Sequence, residues 1–193
     1  MKKIYFLCSL FLLLACENEP NQLIYPEYII AGQTDGNGIV YTDIQPNDTL
    51  SFFYSSTLTE DSIDLDIDGT VDLKIHFYAA ASPAFDYFKH TIIPFNENAI
   101  ATSESDSYFI DTLRLNDTIG PGLKWVNDTS LLFEHSWVIT GTSYREGLWN
   151  DAGEKFVGVK IVKDDTIQYG WIRMEIKHMS RLIIYDFACT KGY

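Results

Sequence analysis

This sequence of 193 residues predicts an all-β fold, an antiparallel β-sandwich or jelly-roll-like single domain. Three observations point there. Short segments rich in β-branched and aromatic residues follow one another, broken by clusters of Asn, Asp and Gly. Aromatic residues make up 15% of the chain, enough to fill the space between two packed sheets. No window carries a sustained apolar repeat at helical period.

The first element precedes the domain. Lys2 and Lys3 open an apolar run from Ile4 to Ala15 that is too short to span a bilayer and ends in small residues, as a secretory signal does. "LLAC" at Leu13 to Cys16 resembles the lipobox of bacterial lipoproteins, in which the cysteine becomes the new N-terminus and carries the lipid. The organisation expected is a lipoprotein signal peptide over 1–15, a polar tether over 16–22 and one domain over 23–193. Lipidation at Cys16 would tie the protein to a membrane, because several acyl chains on one residue give lasting anchorage. The alternative is an ordinary signal peptide with an incidental Cys16. Glu17 and Glu19 in the tether resemble the acidic residues that follow the lipidated cysteine in surface-exported lipoproteins of the Bacteroidetes, which implies the outer membrane or cell surface.

Charge narrows the partners. Acids outnumber Lys and Arg by 27 to 14, for a formal net charge of −13, and removal of the signal takes away two more lysines. Nucleic acid needs a positive patch to displace its counterions, so it is excluded as a partner. Adhesion to anionic lipid by charge is disfavoured on the same ground. Cys8 leaves with the signal and Cys16 takes the lipid, so Cys189 stands alone among apolar neighbours and reads as a buried, inert thiol. No disulfide is expected, and stability must come from a core, to which a bound metal would add.

Strand segments follow in order: 23–31, 38–44, 49–56, 62–68 and 70–78, separated by "DGNG", "QPND", "TED" and "DG". The second half continues with 90–95, 107–115, 130–140, 155–163, 166–177 and 180–188. "NENAIATSESDS" (96–107) reads as a loop, and a helix of a few turns fits only around "SPAFDYF" (82–88). In the last third, Val157, Val159 and Ile161 alternate with Phe156, Gly158 and Lys160. Asp164 and Asp165 make a turn, and Ile172, Met174 and Ile176 alternate with Trp171, Arg173 and Glu175. This is a hairpin with one aliphatic face and one aromatic and charged face.

The densest chemistry lies in "SIDLDIDGTVDLKIHFY" (62–78), where Asp64, Asp66, Asp68 and Asp72 crowd around Gly69. One reading is an edge hairpin turning at Asp68-Gly69, with Ile63, Leu65, Ile67, Val71, Leu73 and Ile75 inward and the acids guarding the edge. Like charges on one side of a tight turn repel, however, and a hard cation reverses the sign of that term. The spacing D-x-D-x-D-G-x-x-D resembles calcium loops. It implies a structural Ca2+ held by Asp64, Asp66, Asp68, the Thr70 carbonyl and Asp72. Ile75 stands where an EF-hand has its bidentate Glu, and no helices flank the loop.

Five segments carry a wider resemblance: "IVYTDIQPNDTL" (39–50), "DLDIDGTVDL" (64–73), "FVGVKI" (156–161), "YGWIRMEI" (169–176) and "IIYDFA" (183–188). Their order is similar to that in uncharacterised secreted bacterial proteins, many with a PEP-CTERM sorting tail and many, in the Bacteroidetes, lipoproteins. The resemblance implies an exported all-β protein with an acidic turn and brings no established activity. Tailed members end differently from this chain, where a lipidated Cys16 would replace the tail.

Catalytic motifs are scarce. There is no G-x-S-x-G elbow, no H-E-x-x-H and no short carboxylate ladder suited to a glycoside hydrolase. His76, His90, His135 and His178 are scattered singly, and Glu134-His135 is the only adjacent acid and base. Tyr169, Trp171 and Arg173 alternate on one side of a strand. They would form either a platform for a glycan or protein ligand or part of the inter-sheet core, and burial of Trp171 decides between the two. Two functions remain: a surface binding or adhesion module with a structural calcium, or an extracellular hydrolase acting on polysaccharide or another polymer.

Overall fold

The computed structural model describes residues 27–51, 57–164 and 166–192. The signal 1–15, the tether 16–22 with Cys16, and residues 23–26 lie outside them. Thirteen strands run through the described residues: β1 (Ile29–Ile30), β2 (Ile39–Ser51), β3 (Thr57–Ile63), β4 (Leu73–Ser82), β5 (Phe85–Pro94), β6 (Ala99–Thr102), β7 (Thr118–Ile119), β8 (Lys124–Val126), β9 (Ser130–Val138), β10 (Ser143–Glu146), β11 (Lys155–Lys163), β12 (Thr166–Lys177) and β13 (Arg181–Thr190). Every sheet is antiparallel. One runs β10-β9-β5-β4-β3, a second β2-β13-β12-β11-β6-β8, and a small third joins β1 to β7.

The two large sheets face each other across one core. Ile75, Phe77, Phe88, Ile92, Leu132 and Phe133 come from the five-stranded sheet, and Val157, Val159, Ile161, Ile172, Met174 and Ile184 from the six-stranded one. Period-two alternation puts these residues on the inner faces, with a register slip at Leu132 letting it join its neighbour Phe133 there, which makes the fold an antiparallel β-sandwich. A second cluster lies on the outer side of the six-stranded sheet. There Ile29 and Ile119 of the small sheet cover Phe156, Tyr169, Trp171 and Ala188. The aromatic face of the β11–β12 hairpin is thus a packed layer of its own.

Several local expectations change, and the strand expected over 107–115 is reduced to isolated bridges at Phe109, Ile110 and Leu113. "SPAFDYF" is a hairpin corner rather than a helix: β4 turns into β5 there, with the Ser82 hydroxyl accepting the amides of Ala84 and Phe85. The stretch 96–107 contains β6, which pairs with both β11 and β8. "QPND" does not end a strand. It lies within the edge strand β2, where the register slips between the Asp43↔Asp186 and Asp48↔Ile184 pairs, and an edge is where a sheet tolerates Pro46.

Candidate metal centre

Strand β3 closes on β4 at the Ile63↔Leu73 pair, so residues 64–72 form a loop rather than the tip of a hairpin. The in-out alternation persists for two more residues and then fails. Leu65 is fully buried against the six-stranded sheet, directly over Gly170, where any Cβ would lie 2.4 Å from the Leu65 Cδ2. Asp64 and Asp66, on either side of Leu65, turn outward. Ile67 then takes a left-handed φ of 60° and stands 60% exposed, and Gly69 follows with φ 90°. Val71 is 38% exposed as well. The hairpin reading, with Ile67 and Val71 inward, is therefore corrected: the chain leaves the sheet plane after Leu65 and returns at Asp72.

Backbone amides organise the acids. Asp64 accepts the amides of Asp68 at 3.1 Å and Gly69 at 2.7 Å, and Asp66 accepts that of Asp68 at 3.2 Å. Asp72 is buried; its Oδ2 accepts the Leu65 amide at 2.7 Å and its Oδ1 accepts Asn98 Nδ2 at 3.1 Å. Asn98 in turn accepts the Val162 amide at 2.9 Å, which fastens the loop to β11. These bonds bring one carboxylate oxygen each from Asp64, Asp66 and Asp72 within 4.8 Å of one another, a triad that can hold a metal ion. Asp68 is drawn elsewhere. Its carboxylate pairs with Lys163 Nζ and accepts the Thr70 amide at 2.7 Å, and Asp68 and Thr70 line a cavity of about 90 Å³ beside the triad.

The electrostatics follow from this packing. Burial raises the Asp72 carboxyl to about 6, with the charges of Asp66 and Asp64 adding and the Leu65 amide opposing. Burial also pushes Asp66 up, helped by the charge of Asp68, while Lys163 holds Asp68 down. Beneath the loop the Cys189 thiol lies 3.3 Å from the Leu65 carbonyl, and burial followed by the three nearby carboxylates pushes it up to about 12. It is a buried thiol without thiolate character at neutral pH.

The expected platform is corrected. Trp171 is 1% exposed and Tyr169 7%, Trp171 packing edge-on against Phe156 at 5.3 Å and Tyr169 against Trp125 at 5.5 Å. The small sheet of β1 and β7 covers the face that alternation alone left open. Only Arg173 reaches the surface, held by two 2.8 Å bonds to Asp186 and lying over the Tyr185 ring. Glu134 and His135 point to opposite faces of β9, as neighbours on a strand must. Glu134 turns out to Lys89 at 3.2 Å, and His135 turns in against Phe88. Sequence reasoning missed Asn98 and Lys163, two residues that set the loop. No signal at either position marks it, because both roles depend on strands distant in the chain. Comparison with family models, with curated proteins and with solved structures returns no match.

Proposed function

We propose that this protein is an exported, lipid-anchored cell-envelope module that binds a ligand at the cell surface, with a structural calcium ion in the β3–β4 loop. The observation that supports it most is the convergence of Asp64, Asp66 and Asp72 on one point within a loop fastened to both sheets. Three carboxylates converging at a hydrogen-bonded turn, where burial and the charges of Asp66 and Asp64 push Asp72 up, suit a hard cation taking oxygen ligands. Asp64, Asp66 and Asp72 supply the first ligands. Asp68 and the Thr70 carbonyl lie close enough in the chain to join once a divalent ion competes with Lys163. Export and anchorage rest on the basic and apolar N-terminus and on "LLAC".

The hydrolase reading loses its one adjacent acid and base, since Glu134 and His135 face opposite ways. A binding module asks only for a stable surface, which a cation-locked sandwich provides. Screening the purified protein against a glycan array and a panel of surface proteins, in calcium and in chelator, tests the reading. Saturable retention by a defined ligand, weakened in chelator, is the expected result. Turnover of a polymer with no retention would favour the hydrolase instead.

A further inference from the structure

A cavity of about 340 Å³ opens on the outer side of the six-stranded sheet, lined by Arg114, Leu115, Glu154, Lys155, Phe156 and Arg173. Three cations surround it in a chain of net charge −13. The fold brings them together from three places. Phe156 exchanges backbone hydrogen bonds with Leu113, which places Arg114 beside Lys155, and Phe156 lies directly opposite Arg173 on β12.

We propose that this cavity binds an organic monoanion, a single carboxylate joined to a flat or apolar body. Arg173 is pre-organised: Asp186 holds its Nε and Nη2 at 2.8 Å and the Tyr185 ring lies 5.2 Å from its guanidinium carbon, leaving Nη1 on the side of Glu154 at 3.6 Å. Arg114 and Lys155 carry no ion pair or side-chain hydrogen bond among the described residues, so their donors are available to a ligand. Phe156 and the exposed Leu115 form an apolar wall beside those donors. Charge sets the valence. Asp186 and Glu154 both lie against Arg173, so three cations and two carboxylates leave about one net positive charge, carried by Arg114 and Lys155, for the ligand to balance. A phosphate dianion would overcompensate beside Glu154, whereas one carboxylate matches. The volume falls at the small end of ligand pockets, about the size of one ring with its substituents.

The proposal deepens the binding-module reading and rests on it by naming the ligand's chemistry. The carboxylate can come from a uronic acid of a glycan or from an aromatic acid, and the probes separate the two. Heteronuclear NMR of the purified protein is followed at the Arg173 side chain and at the Leu115 and Phe156 amides. Glucuronate and benzoate are titrated, with glucose and benzamide as neutral counterparts. One of the two acids should give saturable shifts at these residues while its neutral counterpart gives none. Arg114→Ala and Lys155→Ala should each weaken that acid by roughly three- to tenfold, and Glu154→Gln should tighten it about two- to fivefold. Lys191→Ala, remote in the fold, should change nothing. Shifts equal for acid and neutral counterpart, or an affinity indifferent to Arg114, Lys155 and Glu154, would overturn the proposal. A glycan-array hit lacking any carboxylate, with this cavity silent, would overturn it while leaving the binding-module reading intact.

Discussion

His90 lies wholly buried between the sheets, stacked on Phe77 at 4.4 Å, with its Nε2 2.7 Å from the Met179 carbonyl. Burial holds it neutral and depresses its pKa to about 4, the Met179 carbonyl opposing only in part. Between pH 6.5 and 4 the unfolded chain therefore binds a proton at this histidine that the folded chain refuses. Its contribution is complete above about pH 6.5 and is lost as the pH falls toward 4, an effect on the order of 3 kcal/mol. Asp61 and Asp72, both raised by burial to about 6, act the other way in the same window, so the effect is read as a difference. His90→Phe keeps the stack on Phe77 and removes the titration. Urea midpoints at about pH 7 and about pH 4.5 should show a distinctly smaller acid loss in the variant than in the wild type. Equal losses would assign the acid sensitivity to another group.

At the scale of elements, the β3–β4 loop carries the acidic triad that could hold a metal ion, and its aspartates now divide. Asp64 belongs to the triad, whereas Asp68 is bonded to Lys163. Asp64→Ala should abolish the rise in melting temperature that calcium brings. Asp68→Ala should keep most of it, although the spacing alone assigns Asp68 to the ligand set and predicts that its loss removes the calcium dependence. Calcium-dependent melts of the two variants decide the matter, and loss of the shift in both would restore Asp68 as an essential ligand. The acidic turn was legible because four aspartates within nine positions make a local pattern. What the pattern could not reveal was long-range. Leu65 anchors over Gly170, Asn98 bridges Asp72 to Val162, and Lys163 captures Asp68, each across a separation that periodicity does not encode. The β11–β12 hairpin was read correctly, because alternation fixes its faces and the pairing runs without a slip from Lys155↔Met174 to Lys163↔Thr166. The cover over its aromatic face was not, since β1 and β7 supply only two residues each, too few to show a period.

For the whole molecule, the two sheets share one apolar core and the third, small sheet seals the aromatic layer behind it. The sandwich was legible from composition and short-strand punctuation, whereas the sheet order was not, because pairing across the chain leaves no local trace. Location rests on the N-terminus: Cys16→Ala should release the protein from the membrane fraction and lose a fatty-acid label, and label retained on that variant would contradict the lipoprotein reading. The acidic loop, as proposed, is a calcium site integral to the fold. Thermal unfolding in chelator and in about 1 mM free calcium tests it most directly. With a dissociation constant of about 10⁻⁴ M, at the weak extracellular end, bound calcium adds about 1.4 kcal/mol. That stabilisation predicts a melting temperature higher by about 3 to 6 °C in calcium than in chelator. Superimposable melts would mean that the aspartates form a solvated turn and hold no ion.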